Sequence, residues 1–192
     1  KNKAPLFLAE DYNGEIYISD LKGHYQKWNI RTVLMTIEVL KKLKWEIKEE
    51  GVKKGLENVI LNTGLRGRWD ILQENPKVIC DTAHNKEGLI YAMKQLQEEE
   101  YESLHLVLGV VNDKDLNLVL PVFPISAKYY FCRPNVPRGL EVDVLQKKAA
   151  ENGLFGTSFN SVPEAYEAAK AGASPGDVIY VGGSTFTVAE II

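Results

Sequence analysis

The pattern of apolar and polar positions changes character about a third of the way along the chain. Before residue 64, Ile30, Val33, Leu34, Ile37, Leu40 and Leu43 recur at helical spacing across residues 29–44, and a more charged helical stretch follows at 46–56. Ahead of them, Asn13-Gly14 stands between Leu6-Phe7-Leu8 and Ile16-Tyr17-Ile18. Both turn residues tolerate positive φ, so this stretch predicts a hairpin. After Asn62-Thr63-Gly64 the pattern alternates. Strand-like runs at 69–72, 78–80, 104–111, 128–132 and 178–181 are separated by helical runs at 86–99, 115–122, 143–152 and 162–172. Such alternation predicts an α/β fold, a mostly parallel sheet with helices on both faces. Ser161 and Glu164 form a capping-box pattern around Pro163, which marks one helix start. The domain reading is therefore a hairpin-plus-helices block at 1–63 and an alternating domain at 64–192.

Composition adds limits. With 192 residues and 45% hydrophobic content the chain can bury a core. A net charge of -3, with Lys and Arg spread thinly, argues against a nucleic-acid partner. Cys80 and Cys132 adjoin apolar runs and read as reduced, packed thiols. No window approaches eighteen apolar residues and no leader pattern opens the sequence, so no membrane segment and a cytoplasmic location are expected. Lys1 stands where an initiator Met would, which reads as a fragment of something longer.

If the sheet is parallel, the carboxyl ends of its strands share one edge, where open α/β sheets bind ligands. Each predicted strand runs into polar residues there: Asp81-Thr82-Ala83-His84-Asn85, Asn112-Asp113-Lys114-Asp115, Arg133-Pro134-Asn135 and Gly182-Gly183-Ser184-Thr185. Asp81 suits ribose hydroxyls, His84 near a helix start suits a bound carboxylate, and Gly-Gly-Ser lets backbone approach a ligand. Together they describe a pocket for something anionic and hydroxylated. Bland readings stand beside these: Asp81 or Asn85 as a helix cap, His84 as a structural hydrogen-bonding residue, Asp113 and Asp115 as a solvated turn. Arg68, beside glycines, suits phosphate oxygens or a plain linker surface. The 192 residues contain no G-x-x-x-x-G-K-[ST] phosphate loop and no metal-ligand spacing, so no metal residues are assigned.

Several of these motifs together resemble the folylpolyglutamate synthase and dihydrofolate synthase ligases, relatives of the ligases that build peptidoglycan precursors. Leu21-Lys22-Gly23-His24-Tyr25-Gln26-Lys27-Trp28-Asn29 is similar to the family's L-x-G-x-[HY]-Q-x-x-N stretch, and Gly67-Arg68-Trp69 to its G-R-[FLW]. Asp81 to Asn85 matches its D-x-A-H-N, Asp113-Lys114-Asp115 its D-K-D, and Gly183 to Val188 its G-S-x-[FY]-x-[VI]. The resemblance implies a Rossmann-like C-terminal domain of the Mur ligase type after the tail of a central ATPase domain. It also implies ATP and Mg2+ as cofactors, with L-glutamate and a folate or dihydropteroate joined through an acyl phosphate. By motif position Asn29, Arg68 and Asp81 would contact nucleotide, and His84 and Ser184 would hold glutamate. Arg68 and His84 would be the catalytic pair, Arg68 stabilising the transferred phosphoryl group.

The family's phosphate loop, magnesium ligands and modified lysine belong to an N-terminal ATPase region outside these residues, so the fragment alone is expected to be inactive. Lys86 stands where the family commonly has proline, and Tyr25, rather than His24, fills its aromatic or histidine position. Two other functions remain open at this point: a peptidoglycan-precursor ligase domain, and a non-catalytic α/β module that binds a small anion.

Overall fold

The computed structural model describes residues 5–113 and 115–192, which form two compact units divided between Leu65 and Arg66. In the first unit, α1 (Gln26–Lys42) is followed by α2 (Glu49–Glu57) and the short α3 (Val59–Thr63). The apolar stripe of α1 buries Ile30 and Leu34 together with Leu56 of α2, and Tyr12, Tyr17 and Val52 pack against them. Asp20 caps α3 from a distance: its two carboxylate oxygens accept the N–H groups of Val59 (3.1 Å) and Ile60 (2.8 Å). The stretch around Asn13-Gly14 carries no ladder hydrogen bonds, and its regular element is a 3-10 turn at Ala9–Asp11. A two-stranded ribbon is marginal without a third partner, and here Leu6 and Ile18 stay exposed.

The second unit is a six-stranded sheet in the order β1-β2-β6-β3-β4-β5. Its strands are β1 (Arg68–Glu74), β2 (Lys77–Asp81), β3 (Leu104–Gly109), β4 (Lys128–Cys132), β5 (Gly156–Phe159) and β6 (Val178–Gly182). Strands β2 to β6 run parallel and β1 joins β2 antiparallel, so the sheet is mostly parallel. Period-2 alternation sends Ile79, Leu106, Leu108, Tyr129, Phe131 and Tyr180 to one face. There they meet Leu89, Ala92, Met93 and Leu96 of α4 (Lys86–Gln97) and Leu145 and Ala149 of α6 (Val142–Glu151). Val119 of the short α5 (Leu116–Val119) covers the same face.

Val78, Cys80, Val107, Cys132, Ile179 and Val181 point to the other face. Val162, Ala165 and Ala169 of α7 (Val162–Gly172) and Val188 of α8 (Thr185–Ala189) cover them. Both cysteines are thus free and buried, and burial pushes the Cys80 thiol up to about 12 and Cys132 further still. The predicted helix at 115–122 is α5 followed by a 3-10 turn at Leu120–Val122, because Pro121 lacks the N–H that would continue the α-helical ladder. Among the described residues no helix is long and apolar enough to cross a membrane.

Candidate functional site

The sheet order creates the site. β2 and β6 are hydrogen-bonded neighbours, yet the helix following β2 lies on one face and the helix following β6 on the other. Loops that leave adjacent parallel strands in opposite directions open a crevice at their carboxyl ends. A pocket of about 280 Å³ lies there, lined by His84, Val111, Asp113, Arg138, Ser184, Thr185 and Phe186. Its residues come from the ends of four neighbouring strands, β2, β6, β3 and β4.

The wall at β2 is set by Asp81, which is 1% exposed. Its Oδ2 accepts the N–H of Trp69 and its Oδ1 that of Ala83, both at 2.8 Å. Opposite it, β1 opens with a bulge between Arg68 and Asp70, and Trp69 adopts φ 56°, left-handed for a non-glycine residue. The Asp81 carboxylate holds that strained backbone. Arg68 projects from it and donates through Nη1 to the Thr82 hydroxyl. Gly67 has φ 72°, and a Cβ there would lie 2.9 Å from Thr82 Cγ2 and 3.0 Å from Val188 Cγ1. Glycine at 67 is therefore required by conformation and by space.

His84 lies beside the accepting carbonyl of Thr82, 2.9 Å from Nδ1. A carbonyl only accepts, so Nδ1 carries the hydrogen and Nε2 is the ring atom left for the pocket. Asn85 is the cap of α4, its side chain accepting from Gly88 N at 2.8 Å, which frees Asp81 and His84 from capping. Ser184 is 2% exposed, and its Oγ accepts from Phe186 N at 3.1 Å, leaving its O–H free to donate. The pocket thus brings together His84 and Ser184, which lie far apart in sequence.

Other expected residues fall elsewhere. Arg68 and Asp81 are joined in the strand register but do not line the pocket. Asn29 belongs to the first unit, on α1, where its side-chain amide donates to Gln26 Oε1 at 2.8 Å. Lys114 lies outside the described residues, and its neighbour Asp115 caps α5 through Asn117 N at 3.0 Å. Among the described residues no three His, Cys, Asp or Glu side chains gather to hold a metal ion. Arg138 escaped the sequence reading. Its signal was faint, a single basic residue beyond the Arg133-Pro134-Asn135 cluster.

This arrangement can be compared with known proteins. The family described as Mur ligase, glutamate ligase domain, matches residues 67–185. The chain belongs to that family. Within it, the Mur ligase domain described here resembles the folylpolyglutamate and dihydrofolate synthases. A probable bifunctional folylpolyglutamate synthase/dihydropteroate synthase of Haloferax volcanii is 29% identical over 171 residues, covering 88% of this chain and 20% of that protein. The dihydrofolate synthase/folylpolyglutamate synthase of Escherichia coli is 32% identical over 149 residues, covering 77% of this chain and 33% of that protein. The crystal structure of a bifunctional folylpolyglutamate synthase/dihydrofolate synthase with Mn, AMPPNP and L-glutamate bound superposes with TM-score 0.72 at 25% identity, covering 92% of this chain and 39% of that one. The chain therefore spans a fifth to a third of these two curated relatives. These relatives are named for folate-pathway synthesis, and the solved one holds a nucleotide analogue and L-glutamate.

Proposed function

We propose that this chain is the C-terminal part of an ATP-dependent ligase that adds L-glutamate to a folate or to dihydropteroate. The observation that carries this reading is the convergence of His84 and Ser184 in one pocket at the β2/β6 crevice, in a domain whose structural relative binds L-glutamate and AMPPNP. In the reaction a substrate carboxylate takes the terminal phosphoryl group of ATP, releasing ADP. The glutamate amine then attacks the acyl phosphate, forming the amide and releasing phosphate and a proton.

The chain's residues serve the second step. His84 Nε2 accepts hydrogen from the incoming amine, and the Ser184 hydroxyl donates to a carboxylate oxygen, so the amine faces the acyl carbon. Arg68 is assigned to the phosphoryl group as it transfers, and Asp81 to the nucleotide side of the site, through the backbone it fixes under Arg68. Asn29 is assigned a nucleotide contact by its motif. The ATPase region of the same protein would supply the phosphate loop, the magnesium ligands and the pterin pocket.

The test uses the intact ligase with dihydropteroate, folylglutamate and nucleotide-sugar acceptors, following ATP-dependent incorporation of labelled glutamate. Incorporation into the pterin substrates alone is expected; incorporation into the nucleotide sugar would transfer the chain to the peptidoglycan branch. His84→Ala and Ser184→Ala are expected to raise the glutamate KM about 10- to 100-fold with the ATP KM nearly constant, as the loss of a charge-assisted hydrogen bond does. Arg68→Ala and Asp81→Asn are expected to act mainly on ATP use. Unchanged glutamate kinetics in both pocket variants would remove the assignment.

A further inference from the structure

Of the four polar strand ends, Arg133-Pro134-Asn135 is the one that contributes no residue to the β2/β6 pocket. The topology gives it a crevice of its own. β4 and β5 are parallel neighbours, yet α6, which follows β4, packs on the Tyr129 and Phe131 face, and α7, which follows β5, packs on the Cys132 face. This repeats the divergence at β2 and β6, so a second crevice opens at the carboxyl ends of β4 and β5. A cavity of about 560 Å³ lies there, within the ~300–1,000 Å³ of small-molecule sites. Its walls are preformed. Pro134, Pro137 and Pro163 line it with fixed φ angles. Val136 N donates to Pro134 O and Gly139 N to Val136 O, both at 2.8 Å, and Asn135 N donates to Glu190 Oε1 at 2.7 Å, tying the loop after β4 to the end of α8. Walls ordered beforehand lose less entropy when a ligand binds.

The cavity carries charges of both signs, and they do not pair with each other. Arg133 donates through Nε to Gly139 O at 3.2 Å, and its Nη1 is 3.3 Å from Oε1 of Glu141, a side chain 66% exposed. Water screens that outer pair, and Nη2 stays available for a carboxylate. Ser161 Oγ accepts from Glu164 N at 3.3 Å, so its hydroxyl hydrogen is free to donate, at the positive end of the 11-residue α7. Glu190, with Oε1 engaged by Asn135 N, has Oε2 left for a cation. The prolines and Val136 add apolar surface. An inorganic anion would set a like charge against Glu190, and a plain amine would leave Arg133 unmet. A molecule with a carboxylate and an ammonium group satisfies both.

We propose that the β4/β5 crevice binds a small zwitterion of the α-amino acid class with an apolar side chain, its carboxylate on Arg133 and Ser161 and its ammonium on Glu190. Isothermal titration of the intact ligase with L-leucine, L-methionine and L-phenylalanine is expected to give a dissociation constant of about 10 μM to 1 mM for at least one of them. N-acetyl-L-leucine, which lacks the ammonium, and L-leucinamide, which lacks the carboxylate, should each bind about 10- to 100-fold more weakly than L-leucine. Glu190→Gln, which still accepts from Asn135 N, and Arg133→Lys, which keeps charge but loses the fork, should weaken amino-acid binding by a similar factor. His84→Ala, in the other pocket, should leave it within about twofold.

No binding of any of the three up to about 10 mM would overturn the proposal. So would equal binding of N-acetyl-L-leucine, displacement by inorganic phosphate at the same concentration, or a loss in His84→Ala that Glu190→Gln does not share. The readout is binding rather than turnover, so failure of the glutamate reading leaves this result standing, and its own failure leaves the ligase assignment untouched.

Discussion

Gly67 and Trp69 hold positive φ values on either side of Arg68, and this local conformation decides where the arginine emerges from the sheet. The strain is stabilised by one buried carboxylate, Asp81, which accepts the N–H groups of Trp69 and Ala83. Gly67→Ala is expected to destabilise the second unit by about 1–3 kcal/mol, the magnitude of a left-handed non-glycine residue, with close contacts to Thr82 and Val188 added. Urea unfolding measures this, and an unchanged midpoint would contradict it. His84 and Ser184 were legible in the sequence because each follows a predicted strand directly, where α/β sheets place ligand groups. Arg138 was not, because its approach depends on hydrogen bonds between two loops, 110–112 and 138–140, that no local pattern announces.

At the level of elements, apolar alternation located five of the six strands and the longer helices, since these bury continuous stripes. β5 was invisible to the same reading. Gly156-Thr157-Ser158-Phe159 is short and polar, and it is a strand through pairing with β4 rather than through propensity. β1 was legible as a strand but not as the antiparallel neighbour of β2, which follows from the tight turn at Asn75-Pro76. Helix starts were marked more reliably. Asn85 caps α4 and Ser161 caps α7 through Glu164 N at 3.3 Å, while Glu164 itself accepts from Asn160 N rather than closing a full capping box. Asn85→Ala is expected to lower stability by about 1 kcal/mol, and Asn85→Ser to restore most of it, as read by thermal unfolding. Equal losses in the two variants would mean that Asn85 acts through something other than the cap.

Across the whole molecule, stability is unevenly held. The first unit buries a cluster of Ile30, Leu34 and Leu56, whereas two extensive clusters cover both faces of the sheet in the second. Hydrogen exchange is therefore expected to be faster in residues 5–65 than in 66–192, and equal protection would contradict this. The amino ends of β3 and β6 carry a buried polar group of a different kind. His105 is fully buried between Tyr130 Oη, 2.9 Å from Nδ1, and Asp177 Oδ2, 3.1 Å from Nε2. A neutral ring satisfies both, accepting from Tyr130 and donating to Asp177.

Burial lowers the His105 pKa from its usual 6.5 despite the opposing hydrogen bond to Asp177. Below about pH 6.5 the unfolded chain therefore binds a proton that the folded chain does not, and stability falls as pH drops through that window toward the lowered folded value. Thermal midpoints measured from pH 8 to 5 should show this decline, and His105→Gln should flatten it. The isolated 192 residues, which contain no phosphate loop, are expected to give no ATP-dependent glutamate ligation; measurable turnover would overturn that division of labour.

The two outer strands of the sheet bear on behaviour at high concentration. One margin, β1, is broken by two register shifts, and the other, β5, is four residues long. Neither offers a straight row of unpaired amides to template a neighbouring chain, so sheet extension into fibrils is blocked by margin geometry rather than by a lack of apolar strands in the interior.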